Sequence, residues 1–183
     1  MSTSTSGSYL PATDIERFLG ELRALVTLDD NDLAAVRRSA PLVLAQESAI
    51  TAALYDHFLS LPATARFFLR EDGTPDTDRL ERRKHSLGRW LRETAAAALT
   101  PEFGYYLLSV GLAHSHRAHG PGGHVPAHFM VGAMSLAQTA LAQLFAAKLD
   151  DPREALAASV AWNKLLLVHL SVLLLGYPSP ARA

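Results

Sequence analysis

Cysteine is absent from the 183 residues, which excludes disulfide scaffolds, thiolate-held metals and cofactors, CxxCH attachment and cysteine nucleophiles. Charge of one sign is equally scarce. Seventeen Lys and Arg face 18 Asp and Glu, giving a net charge of −1 with no long basic run. A general attraction to nucleic acid or to an anionic membrane surface therefore has no basis. The opening MSTSTSGSYLPATD lacks the charged and apolar regions of a signal peptide. The longest apolar stretch, Leu165 to Tyr177, is interrupted by His169 and Ser171. At about 1.5 Å per residue it is too short to span a bilayer. GxGxxG, P-loop, HExxH, GxSxG and Cys/His zinc spacings are also missing. A cytoplasmic protein with neither nucleic-acid nor membrane partners is expected.

Strand signals are nearly absent too, and helical ones fill the space. A disordered tail over residues 1–10 precedes one domain over 11–178, with a short tail over 179–183. Asp14 can cap a helix through Leu25 whose stripe is Ile15, Phe18, Leu19 and Leu22. A second helix starts at Asp29 or Asp30. Pro41 fits the first turn of a third, running to about Leu61 with Ile50, Leu54, Phe58 and Leu61 as its apolar ladder. Pro62 opens a short segment ending in Phe67-Phe68-Leu69, and Glu71-Asp72-Gly73-Thr74-Pro75 is a turn. Leu80, Leu87, Leu91, Ala95 and Ala98 then mark a long helix from Asp76 to about Leu99. Thr100-Pro101 caps the next helix, expected to reach about His119 before Gly120-Pro121-Gly122-Gly123. Helices from Pro126 to Leu149 and from Asp151 to about Gly176 complete an all-α domain. The last is apolar on nearly every side, so it must be central or at a subunit interface.

Five of the eight histidines lie between His114 and His128. Phe103, Tyr106, Leu107, Val110 and His114 follow steps of three and four, which puts His114 on the buried face of its helix. His116 is about 200° further round and His119 shares its side, so both are expected at the surface. An inward histidine is either a hydrogen-bonded core residue or a metal ligand. Tyr55, in Ala-Leu-Tyr-Asp-His-Phe, presents a similar choice between a phenol bonded across the core and a donor aimed at a ligand. His169 sits within the apolar last helix as a core, interface or rival ligating group. His57 and His85 are expected on the surface, Trp90 and Trp162 in packing, and Arg82-Arg83-Lys84 on a solvated face. Pairs His116/His119 and His124/His128 leave open a haem-free helical regulator or metal-binding bundle.

The order of these features resembles the protoglobin family, the single-domain relatives of globin-coupled oxygen sensors. The match runs through Ala-Leu-Tyr-Asp-His-Phe, Asp72-Gly73-Thr74-Pro75, Arg89-Trp90, Val110-Gly111-Leu112-Ala113-His114 and Val125-Pro126. Trp162-Asn163-Lys164 and Tyr177-Pro178 extend it, so that residues 10 to 178 are covered. The resemblance implies a globin fold, a 3-over-3 helical sandwich with an extra N-terminal helix. It further implies non-covalent haem b with His114 as proximal iron ligand, and Tyr55 as distal hydrogen-bond donor to bound O2, CO or NO. Phe58, Leu87, Leu91, Tyr106, Val110 and Phe129 are implied at or beside the haem. Leu87 stands where the family often has Phe and Leu54 where it often has Trp, which implies a roomier distal side. A homodimer through the last two helices is implied as well. Gas binding or sensing is the expected function, without a covalently attached output region. The alternative is catalysis on NO, nitrite or peroxide with an external electron donor.

Overall fold

The computed structural model describes residues 9–177. Of the expected tails over 1–10 and 179–183, residues 1–8 and 179–183 lie outside the described residues. Tyr9, expected within the disordered lead, is instead tied to the first helix by a 2.7 Å hydrogen bond from its hydroxyl to Glu21.

Among the described residues eight α-helices carry the fold: α1 (Ile15–Leu25), α2 (Asp30–Ala45), α3 (Glu47–Ser60), α4 (Pro62–Ala65), α5 (Thr77–Ala95), α6 (Pro101–His116), α7 (Ala127–Lys148) and α8 (Pro152–Leu175). Short 3-10 turns occupy Pro11–Thr13, Arg66–Phe68 and Gly120–Gly122. Most starts are set by side chains that accept from orphan backbone N–H groups: Asp14, Asp29, Asp76, Thr100 and Asp151 each cap the helix that follows. Asp29 and Asp32 form a reciprocal capping box. The only β-type pairing among the described residues is the Leu69–Pro75 bridge across the Gly73 turn.

Pro41 does not open a helix. It lies inside α2, which runs on to Ala45. A proline within a helix removes one ladder bond and costs about 3 kcal/mol. Here the stripe Leu33, Val36, Ala40 and Val43 is buried on both sides of it, and that burial outweighs the loss. Pro41 itself is exposed, as is Arg37, whose carbonyl has no N–H at Pro41 to accept from. The α3 ladder also turns by one residue relative to expectation. Thr51 and Tyr55 are the buried positions, while Leu61 is exposed.

α8 packs against α2, α6 and α7, and its residues from Leu165 to Leu173 are almost continuously buried. At the α6–α8 crossing a Cβ on Gly111 would sit 2.0 Å from the Leu173 carbonyl oxygen, so only glycine allows this approach. Gly176 returns the contact against Gly111 and the Leu112 backbone. Trp162 packs in the core, as expected, and donates to Ser39 Oγ at 2.9 Å. α7 and α8 are each long and apolar enough to cross a membrane when the whole helix is counted, beyond the Leu165–Tyr177 run. The fold buries 56% of that apolar window in α8 but 22% in α7.

Candidate functional site

The helices enclose a cavity of about 710 Å3 between α3, α5, α6 and α7, a size suited to a cofactor. Tyr55, Phe58, Leu87, Tyr106, Val110, His114 and Phe129 all line it. Leu91 does not: it faces the hydrophobic core one turn beyond Leu87. Leu54 and Trp90 line the cavity too, as do Phe67 and Phe68 from the corner after α4.

His114 sits in the last turn of α6. Its Nδ1 lies 2.7 Å from the Val110 carbonyl oxygen. A carbonyl only accepts, so Nδ1 carries the proton and Nε2 keeps its lone pair. Burial pushes the ring's pKa down to about 4, which holds the imidazole neutral at physiological pH. The His114 carbonyl is itself satisfied by the Val125 N–H at 2.9 Å. This is the donor state a metal requires of histidine, with the second nitrogen oriented by a backbone carbonyl.

Tyr55 enters from α3, wedged edge-on against Phe58 and Phe68 with ring centroids 5.9 and 5.5 Å away. Burial raises its pKa, so the phenol stays protonated. Its hydroxyl has no hydrogen-bond partner among the described residues. A buried phenol usually has one. A donor left free at a cavity wall is suited to a ligand inside.

Two expectations about basic residues fail. His119 is only 7% exposed. The helix ends at His116, and Arg117 takes an extended conformation, so helical phase no longer governs position 119. The chain folds back, and His119 Nε2–H donates to the Ala113 carbonyl at 3.1 Å. This bond, beside the Arg117 N–H that also reaches the Ala113 carbonyl at 3.3 Å, ties the chain to the end of α6 and leaves the His119 and His114 ring centroids 5.5 Å apart. Arg83, expected on a solvated face, is half-buried in the cavity wall and bonds to His119 Nδ1 at 3.0 Å. The missed signal was phase: Arg83 stands three residues after Leu80 and four before Leu87, on the same stripe. For His119 it was the Gly-Pro-Gly break immediately after it.

His169 is fully buried between α5, α6 and α8 and lies outside the cavity lining. Its Nε2–H donates to the Ala98 carbonyl at 3.3 Å, and its ring meets Phe103 edge-on at 5.2 Å. It is a core residue. Among the described residues no three His, Asp or Glu side chains converge to hold a metal ion, so the histidine pairs that suggested a bundle site do not assemble one.

The protoglobin family pattern matches residues 16–181. The chain belongs to the protoglobin family. Among solved structures, its fold is similar to the globin domain of the Geobacter sulfurreducens globin-coupled sensor. That match has 22% identity and a TM-score of 0.71, over 84% of this chain and 93% of the other. The ferric globin domain of Escherichia coli DosC is similar at 14% identity and a TM-score of 0.69, over 86% and 97% of the two chains. The ferrous form of that domain matches with a TM-score of 0.68. No curated protein matches the chain. The fold is thus that of a globin, and family membership implies haem-based gas binding or sensing.

Proposed function

We propose that this protoglobin holds haem b non-covalently through His114 Nε2 and binds a diatomic gas, O2, CO or NO, on the side of Tyr55. The observation that carries the reading is the pairing of two unfilled valences on one cavity. A neutral, carbonyl-oriented imidazole offers a lone pair from α6, and a protonated phenol offers an unused donor from α3. The walls fit the group. Aromatic and aliphatic side chains suit the faces of a macrocycle, and the two charged lining residues, Arg83 and Arg117, suit its carboxylates. When bound, haem iron with one protein ligand supplies an open coordination position for a gas.

Each residue then has a distinct task. Val110 fixes the tautomer and orientation of His114. Tyr55 donates to a bound gas that carries partial negative charge, in surroundings dry enough to strengthen the bond. Leu54 and Leu87 leave that side wide. The exposed apolar face of α7 and α8, including Val131, Leu156, Val160 and Leu167, supports pairing of two copies through these helices. Sedimentation of the protein as a dimer, reduced to monomer by Val160→Glu, would bear this out.

The deciding experiment is the visible spectrum of the protein in its ferric, dithionite-reduced and CO-bound forms, beside His114→Ala. A Soret band that moves on reduction and on CO binding, and is lost or strongly altered in the variant, is the expected result. Failure to take up haem after supplementation would overturn the assignment.

A further inference from the structure

The cavity lining is charged in one sense only. It contains Arg83, Arg117 and three histidines, with no aspartate or glutamate. Of the two arginines, Arg83 is half-buried and Arg117 is exposed. Six ion pairs are formed among the described residues, and none involves it. Its neighbour Arg79 has Asp76 at 3.1 Å and bonds to the Phe67 and Leu69 carbonyls. Arg83 has only the His119 ring nitrogen, a neutral acceptor, for its five donors. Arg79, Arg82 and Arg117 lie near enough to oppose its charge further.

A guanidinium partly withdrawn from water, crowded by three others and given no carboxylate, is costly unless an anion completes it. His119 fixes where that anion must come. With Nε2–H committed to the Ala113 carbonyl, its Nδ1 can only accept. It therefore takes one N–H of Arg83 and sets the orientation of the planar fork at the cavity wall. The remaining N–H groups match the two oxygens of a carboxylate.

We propose that Arg83, positioned by His119, is the anchor for a carboxylate of the bound tetrapyrrole, an attachment separate from the bond between His114 and the metal. The proposal rests on the haem reading above. It predicts that the cavity distinguishes a porphyrin diacid from its diester even when the macrocycle holds no iron. His119 thereby links the two attachments, since it bonds to the end of the helix that presents His114 and also holds Arg83.

The test is fluorescence titration of the full apoprotein with iron-free deuteroporphyrin IX and with its dimethyl ester. The wild type should bind the diacid about tenfold or more tightly than the ester, as expected for charge-assisted hydrogen bonds. Arg83→Leu should bring that ratio close to one while leaving ester affinity within about twofold. Ester binding thus reports an intact cavity in the same variant. Arg83→Lys should restore part of the preference, and His119→Leu should lower it without abolishing ester binding. A ratio near one in the wild type, or one that survives Arg83→Leu, overturns the anchor while leaving haem binding intact. If Arg83→Leu instead weakens azide or nitrite binding to the ferric, haem-loaded protein and spares the ratio, the site takes a small inorganic anion and the carboxylate assignment is wrong. Failure of the wild type to bind either porphyrin or haemin would bring down the haem reading itself, and the anchor with it.

Discussion

His114 and His169 are nearly the same group in two different places. His169 is fully buried and His114 partly so, both donate one ring nitrogen to a backbone carbonyl, and desolvation pushes both down to a pKa of about 4. The difference is what surrounds the other nitrogen. His169 Nδ1 is sealed among Trp90, Phe103 and α8 without a partner, whereas His114 lines a cavity of about 710 Å3. Burial and a depressed pKa are thus insufficient to mark a ligand. An oriented lone pair needs space in which a metal-bearing group fits.

Exchanging the two sites is the strongest way to test this contrast. Groups that hydrogen-bond a metal-bound histidine are worth about 10–100-fold in affinity, so removing the ligand itself should cost more than about a hundredfold in haem affinity. His114→Ala should meet that expectation in haem-transfer titrations. His169→Phe should leave both haem affinity and the CO-bound spectrum unchanged. Equal losses in the two variants would show that haem binding follows general core integrity.

Acid should report on the neutral state of His169 directly. Below about pH 6.5 the unfolded chain takes a proton on His169 that the folded chain refuses until about pH 4. Stability from this group is therefore complete above the unfolded pKa and falls with pH across that window, by up to about 3 kcal/mol. In urea titrations of the apoprotein, His169→Phe should flatten the decline between pH 6.5 and 4 relative to wild type. An unchanged slope would mean that His169 does not remain neutral in the folded core.

Gly111 ties the two sites together, because it sets how closely α6, with His114, approaches α8, with His169. A methyl group there would collide with the Leu173 carbonyl, a backbone atom with no rotamer to change. Gly111→Ala should therefore destabilise the apoprotein by about 2 kcal/mol through overpacking. A smaller loss, of about 0.5 kcal/mol or less, would show that the crossing relaxes without cost.

The helices were legible where local chemistry decides them. Asp14, Thr100 and Asp151 cap where the sequence places caps, Asp76 caps the helix the sequence starts there, and the phase from Phe103 to His114 survives into the fold. Pro41 was misread because the buried stripe on either side of it outweighs a local penalty, a balance visible only once α2 has partners. His119 departs from its expected surface position because helical phase ends with α6 at His116. For Arg83 phase decides over composition, and the basic triplet contains one inward-facing member. Leu91 keeps the cavity's helix but looks toward the core, one turn beyond the position that faces the haem site. What the sequence withheld was long-range: which surfaces the chain leaves uncovered from the inside.

Tyr55 provides the finest distinction, since its ring and its hydroxyl belong to different regions. The ring is part of an aromatic corner with Phe58 and Phe68, while the hydroxyl has no protein partner to lose. Tyr55→Phe should therefore be close to neutral for the stability of the apoprotein, unlike the removal of a phenol bonded across the core, which would leave an orphaned partner and cost about 1–3 kcal/mol. Its effect should appear only with ligand present. One hydrogen bond to a partly charged acceptor is worth about 1.5 kcal/mol, or roughly tenfold in the rate of release. O2 should thus leave the variant about tenfold faster in stopped-flow experiments, and CO, which carries less negative charge, at nearly the wild-type rate. A matching acceleration for both gases would point to widened access beside Leu54 and Leu87 rather than to a lost donor. A loss of apoprotein stability with no change in either rate would return the hydroxyl to the core.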